Sequence, residues 1–213
     1  MESIIDFLVE PYRTNETYLI VLEILAAGFG IISVIYSRLE NILVYPTGLI
    51  STGIYVYLLN IYELRGDMVI NAYFFIMSIY GWFNWSRAMK GNTSLVRITT
   101  TTKKEKTIEC LFFSQVFYSF SLLTSSLVLK ITYITYLDSF NTAIFFVAMW
   151  YMALKKLENW TLWIIGNTIS IPLYLIKGLG FTAIQYTIFL ILAILGYIEW
   201  KKNMNSEQLV ESN

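Results

Sequence analysis

The chain has 213 residues, of which 56% are hydrophobic, 17% aromatic and only 14% charged, with 15 Lys and Arg balanced by 15 Asp and Glu. A soluble domain carries roughly a quarter charged residues, so this composition points to a membrane protein, and the zero net charge argues against the basic face a nucleic acid would need. A single cysteine, Cys110, and the absence of histidine exclude an internal disulfide and most metal sites, and no cofactor is expected.

The first ten residues are acidic and lack the basic n-region of a cleaved signal peptide. Residues 1–16 are read as an extracytoplasmic segment. A helix needs roughly 20 apolar residues to cross a bilayer core of about 30 Å. Seven windows do so, at about 17–37, 43–62, 68–86, 107–129, 133–154, 159–176 and 179–198. An open sheet would leave backbone groups unpaired in lipid, and the alternation of a membrane barrel is absent. The predicted fold is therefore all-α, with seven transmembrane helices.

The segments between spans divide the chain further. Residues 17–86 form a first three-helix repeat, 87–106 a basic cytoplasmic loop, 107–129 a linker helix and 130–200 a second three-helix repeat. The loop, with its threonine run Thr99–Thr102, reads as a solvated linker, with contact to lipid headgroups as the other reading. Residues 201–213 form a cytoplasmic tail, disordered from Asn203 onward. With the N-terminus outside, eleven basic residues fall inside: Arg38, Arg87, Lys90, Arg97, Lys103, Lys104, Lys106, Lys155, Lys156, Lys201 and Lys202. Only Arg13, Arg65, Lys130 and Lys177 fall outside. The positive-inside rule then puts the C-terminus in the cytoplasm.

Internal similarity supports the division. A shift of 118 residues lays Leu39-Glu40-Asn41 on Leu157-Glu158-Asn159 and Gly48 on Gly166, whereas a shift of 115 lays Gly81 on Gly196 and Trp85 on Trp200. Both Leu-Glu-Asn triplets end an outside-to-inside helix. Spans 1–3 and 5–7 can share one orientation only if one additional helix separates them, and the fourth span supplies that inversion, which gives a 3+1+3 plan of parallel repeats. Transporters built this way bind substrate near the midplane between halves.

Trp160, Trp163 and Asn167 stand at i, i+3 and i+7 on one face of the sixth span. At the 118 shift their counterparts are Ile42, Tyr45 and Leu49, so this aromatic-amide face belongs to the second half alone. Tryptophans also anchor helices at membrane interfaces, which is the competing reading for Trp160. Asn71, Gln115, Asn141 and Gln185 are further amides inside spans. Together with Tyr73, Tyr174 and Tyr186 they are expected to line a polar cavity; bonding between helices is the alternative. Glu23 and Asp138 lie about 8–9 Å below the outer ends of their helices at 1.5 Å per residue. They suit an outer vestibule that attracts cations, or bonds to neighbouring tyrosines and hydroxyls. Pro46 and Pro172 each free a backbone carbonyl and permit a bend.

The stretch Lys155-Lys-Leu-Glu-Asn-Trp-Thr-Leu-Trp-Ile-Ile-Gly-Asn167, followed by Ile171-Pro-Leu-Tyr174 and Lys177-Gly-Leu179, resembles the PnuC family of bacterial vitamin-precursor transporters. Glu40-Asn41 with Pro46 and Gly48, and Tyr80-Gly-Trp-Phe-Asn-Trp85, are similar to that family's first half. The resemblance covers nearly all of residues 15–202. It implies a three-one-three fold similar to the sugar-transporting SWEET proteins. It also implies facilitated diffusion of nicotinamide riboside across the bacterial inner membrane, with the product trapped by a cytoplasmic kinase. Thiamine or riboflavin is the alternative cargo. By resemblance Trp160, Trp163 and Asn167 contact the substrate.

The chemistry of the residues agrees. A tryptophan face attracts a cationic ring by about 0.5–2 kcal/mol, and amides pair with a carboxamide or with hydroxyls. The expected partners are a small cationic vitamin or vitamin precursor and the lipid bilayer, with no nucleic acid. A homo-oligomer is compatible with the sequence, which does not set the oligomeric state. An enzyme is disfavoured, because no histidine or carboxylate pair is present for acid-base chemistry. A retinal protein would need a lysine within 179–198, and there is none.

Overall fold

The structure is a computed structural model that describes residues 16–87, 96–127 and 133–211. The N-terminal segment, the part of the basic loop that holds Lys90, and the stretch that holds Lys130 lie outside the described residues. Among the described residues seven helices follow one another: α1 (Thr17–Arg38), α2 (Val44–Ile61), α3 (Arg65–Arg87), α4 (Lys103–Leu127), α5 (Tyr133–Ala153), α6 (Glu158–Ile176) and α7 (Gly180–Glu211). The fold is all-α with a 3+1+3 plan. Among the described residues, α1, α4 and α7 are the helices that taken singly are long and apolar enough to cross a membrane by length and composition. The other helices carry the tyrosines, serines and amides that face their neighbours.

The helices close into a ring. Within each repeat the middle helix touches both others, α2 between α1 and α3, and α6 between α5 and α7. The repeats meet where α1 packs on α7 and where α3 packs on α5. α4 stands outside the ring against α5, sealed by Val116 and Phe120 against Ala143 and Phe146. The outward faces carry exposed Ile24, Ile76, Leu111, Ile191 and Ile198, an apolar surface suited to lipid rather than water.

Four turns set the register of the repeats. α1 ends in a Schellman motif, in which the Glu40 N–H donates to Ser37 O and the Asn41 N–H to Tyr36 O. α5 ends identically, with Lys155 to Met152 O and Lys156 to Tyr151 O. The turns after α2 and α6 repeat the pattern, Glu63 to Asn60 O and Leu64 to Leu59 O, then Gly178 to Leu175 O and Leu179 to Tyr174 O. The residue at the left-handed position is Glu40, Lys155, Glu63 or Gly178. Every one of these pairs is separated by 115 residues, the same spacing as the contacting pair Ser37 and Met152.

The 118 shift is therefore corrected. Leu39-Glu40-Asn41 answers Leu154-Lys155-Lys156, and the counterparts of Trp160, Trp163 and Asn167 are Tyr45, Gly48 and Thr52. The Leu-Glu-Asn identity is a coincidence three residues out of register. Glu23 and Asp138 become equivalent at the 115 spacing.

Two helix ends also differ from expectation. α4 begins at Lys103 because Thr102 and Glu105 form a capping box, Thr102 N–H to Glu105 Oε2 at 2.7 Å and Glu105 N–H to Thr102 Oγ1 at 3.3 Å. α7 continues to Glu211, where the sequence reading places a disordered tail. Asn203 bonds Glu40 at 2.7 Å and Met204 packs on the core, so the extension is tied down. Pro46 lies in the first turn of α2, where a helix has no N–H bond to lose. Only Pro172, inside α6, frees a carbonyl.

Candidate functional site

The end of the bundle that holds the α1–α2 and α5–α6 turns, called here the basic end, is closed along the pseudo-two-fold axis by equivalent residues touching each other. Ser37 meets Met152 at 3.1 Å, Glu40 pairs with Lys155 at 2.7 Å, and the Trp85 and Trp200 rings lie 6.1 Å apart. Lys155 also sits 5.0 Å over the Trp85 ring. Across the two lateral seams, Arg38 donates to Glu199 at 2.7 Å, and the equivalent Asn84 donates to Ala153 O at 3.0 Å. Trp160 belongs to this plug. It is 1% exposed and stands edge-on to Trp200 at 5.5 Å, resting where a Cβ on Gly196 would come within 2.6 Å of its ring. The equivalent pair in the first repeat, Tyr45 against Gly81, packs the same way.

Above the plug an aromatic column runs along the second repeat. Trp163 faces Phe145 at 5.2 Å and takes the edge of Phe74 at 5.9 Å. Phe145 stacks on Tyr186 at 6.0 Å, and Tyr186 stacks on Tyr174 at 5.0 Å. Gly166 makes this possible, since a Cβ there would fall 2.3 Å from the Phe145 ring. In the first repeat the place of Trp163 is held by Gly48, packed against Ser33, so no such wall faces it.

Two amides on this wall have unused oxygens. Asn167, one turn beyond Trp163 on α6, is 2% exposed, and its Oδ1 has no partner among the described residues. Asn141 on α5 donates to Ser170 Oγ at 2.8 Å, and its own Oδ1 is likewise unpaired. A buried amide oxygen without a donor costs about 1–3 kcal/mol, and a ligand with N–H or O–H groups would relieve it. The wall thus combines stacked aromatic rings with two buried acceptors on α5 and α6.

The far end carries the charges. Lys177 donates to both carboxylate oxygens of Asp138 at 2.7 Å and lies 5.2 Å over the Tyr174 ring. Asp67 is close enough to feel both charges. Asp138 thus has an ammonium partner in place of the tyrosines and hydroxyls weighed from sequence. At the equivalent position, Glu23 acts electrostatically on Tyr55 and Tyr62.

The predicted residues therefore divide. Trp163, Tyr174 and Tyr186 share the aromatic column, Asn167 and Asn141 lie on its helices, and Gln185 accepts from the Tyr55 hydroxyl at 3.4 Å. Asn71 donates to Asp67 O in its own helix at 2.9 Å. Tyr73 stacks on Phe146 at 3.9 Å and donates to Phe146 O, so it binds α3 to α5 beside α4. Gln115 is exposed on α4 and donates to Ser119, away from the column. Phe74, Phe145 and Tyr55 were missed, since nothing separates one phenylalanine from another in an apolar span. Gly166, an isolated glycine in a helix, was the available signal for the close approach of Phe145.

Known proteins agree with this architecture. The chain is 24% identical over 193 residues to the nicotinamide riboside transporter PnuC of Escherichia coli (strain K12), covering 80% of this chain and 81% of that one. It is 27% identical over 198 residues to the PnuC of Neisseria mucosa, covering 83% and 70%. A crystal structure of the vitamin B3 transporter PnuC superposes with a TM-score of 0.70 at 21% identity, over 96% of this chain and 99% of that one. The profile of the family described as nicotinamide mononucleotide transporter matches residues 20–202. A match of that extent, on a seven-helix 3+1+3 bundle, makes this multi-pass membrane protein a member of the nicotinamide mononucleotide transporter family.

Proposed function

We propose that this transporter carries nicotinamide riboside passively, with its basic end in the cytoplasm and no enzymatic activity of its own. The observation that carries the reading is the buried Oδ1 of Asn167, without a partner among the described residues and one helical turn from Trp163 on α6. The riboside has a cationic pyridinium ring, a carboxamide with two N–H donors, and ribose hydroxyls. The ring suits the Trp163–Phe145 wall, and the carboxamide or hydroxyls suit the oxygens of Asn167 and Asn141. The names of the similar proteins support the same substrate.

Passive transport follows from what is missing at the middle of the bundle. The chain has no histidine, and Glu23 and Asp138 stand toward the far end, Asp138 already held by Lys177. No obvious group is left to carry a coupled proton. Phosphorylation of the riboside in the cytoplasm would then keep the product inside. The orientation rests on the basic residues gathered at one end.

The test is uptake into proteoliposomes with labelled nicotinamide riboside, thiamine and glucose, without proton or sodium gradients. The riboside should equilibrate and not accumulate. Thiamine, which also has a cationic ring, is the competing substrate, and its preferential uptake would replace the riboside in this reading. Accumulation abolished by an uncoupler would overturn the passive mechanism. Cysteines at Leu179 and Lys202 in a Cys110→Ser background should label from outside and from inside respectively.

A further inference from the structure

The segment 96–102 is not a solvated linker. Ile98 is 4% exposed and belongs to the same cluster as Tyr45, Trp85, Trp160 and Trp200, so it sits at the joint between the repeats. The residues after it are bonded to the second repeat. The Thr99 N–H donates to Lys155 O at 3.2 Å and Thr99 O accepts from the Leu157 N–H at 2.9 Å, a short parallel bridge. Thr101 gives both its N–H and its hydroxyl to Glu158 Oε1 at 2.9 Å. Lys156 reaches Thr100 O and pairs with Glu105 at 2.8 Å.

We propose that Ile98 is a wedge, carried rigidly by the second repeat, that seals the cytoplasmic mouth and withdraws from the first repeat when the carrier opens inward. The inference rests on the carrier reading above. A passage along the axis must part Trp85 from Trp200 and Ser37 from Met152, and Ile98 is seated in the cluster that holds both tryptophans. Two movements would clear it. Peeling the segment from the α5–α6 turn and the start of α6 would break two backbone bonds, the pair of bonds to Glu158 and the Lys156 contacts. Sliding Ile98 out of the cluster parts the apolar contacts of its own side chain and leaves those bonds to the second repeat in place. Opening therefore takes the second course.

Two measurements test this. In a Cys110→Ser, Ser37→Cys background, a thiol reagent applied from the basic side should react at least fivefold faster after Ile98→Ala. Ile98→Leu should return the rate to within twofold of the parent. Unchanged labelling in Ile98→Ala would show that Ile98 seals nothing. In a separate Cys110→Ser, Thr99→Cys, Lys156→Cys protein, the bridge geometry places the two residues opposite each other, within disulfide reach. Oxidation should leave transport of nicotinamide riboside within twofold of the reduced protein. Arrest by oxidation, reversed by reductant, would show that the segment peels away instead. If neither form carries the riboside, it is the substrate assignment that fails, and the labelling experiment still decides the wedge.

Discussion

Glu40 and Lys155 occupy one position of the two repeats and hold each other at 2.7 Å across the pseudo-two-fold axis. Both adopt left-handed backbone, φ 55° and 58°, where glycine would sit without steric cost. Charged side chains occupy both places nonetheless, and Lys155 keeps only 5% of its side chain exposed against 18% for Glu40. Glu40→Gln leaves that ammonium buried without its anion, and is expected to destabilise the protein by about 3–5 kcal/mol. Lys155→Met should cost less, because Glu40 is more exposed and keeps its bond from Asn203. The exchange Glu40→Lys with Lys155→Glu should recover most of the loss. Thermal unfolding in detergent measures all three, and an unchanged midpoint for Glu40→Gln would mean that the pair contributes nothing.

Gly166→Ala tests the aromatic wall from behind. The new Cβ would fall 2.3 Å from the Phe145 ring, and Phe145 is held in turn by Trp163 and Tyr186. The ring must move, and the wall moves with it. Overpacking of this kind costs about 1–3 kcal/mol. Riboside affinity should fall about tenfold, equivalent to about 1.4 kcal/mol, with expression retained. Gly28→Ala, which meets nothing within 4 Å, is the control and should bind normally. Equal binding by both variants would separate Phe145 from the site.

The seven spans were legible from the apolar windows alone, to within a few residues except at α4 and α7. The 3+1+3 plan was legible as well, because the order of orientations demanded it. The register was not. Side chains that agree by chance, such as Leu-Glu-Asn, outweighed a backbone pattern that leaves almost no trace in sequence, since three different residue types fill the four left-handed positions. Gly81 with Trp85 and Gly196 with Trp200 carried the correct spacing, because small residues receiving Tyr45 and Trp160 are set by geometry. That Trp163 and Asn167 share one face of α6 was readable from helical spacing. Trp160 shares their face yet lies in the plug, because a shared face does not report depth along the helix. The segment at Ile98 was misread because a polar threonine run hides one buried isoleucine.

Asn167→Leu separates a ligand contact from a structural one. The Oδ1 of Asn167 is buried and unpaired, so replacing the amide by an apolar side chain of similar size should leave thermal stability unchanged or slightly raised. Riboside binding should weaken about tenfold, in line with a lost hydrogen bond of about 1.4 kcal/mol. A structural amide would show the reverse, a lowered unfolding midpoint with affinity intact. Calorimetry and thermal unfolding on the same preparation distinguish the two outcomes.

The family is described by a mononucleotide and the similar proteins by a riboside, and the two substrates differ by one phosphate. Its two negative charges would need cations near the aromatic wall. Lys155 is committed to Glu40 and buried in the plug, while Lys177 is committed to Asp138 at the far end. The remaining basic residues of the described helices, Arg38, Arg65, Lys103, Lys104, Lys106, Lys201 and Lys202 among them, lie near helix ends or on the extension of α7. Removing even one unpaired charge from water costs several kcal/mol, and about 4 kcal/mol already corresponds to a thousandfold in affinity. Asp67 and Asp138 at the far end would oppose entry further. The riboside is therefore expected to bind at least a hundredfold more tightly than its mononucleotide. Lys177→Met, which leaves Asp138 without its cation, should widen that gap rather than narrow it. Calorimetric titration of both ligands into both proteins is the measurement. Equal affinity for the two ligands, or mononucleotide binding that depends on Lys177, would mean that a lysine leaves its carboxylate to meet the phosphate.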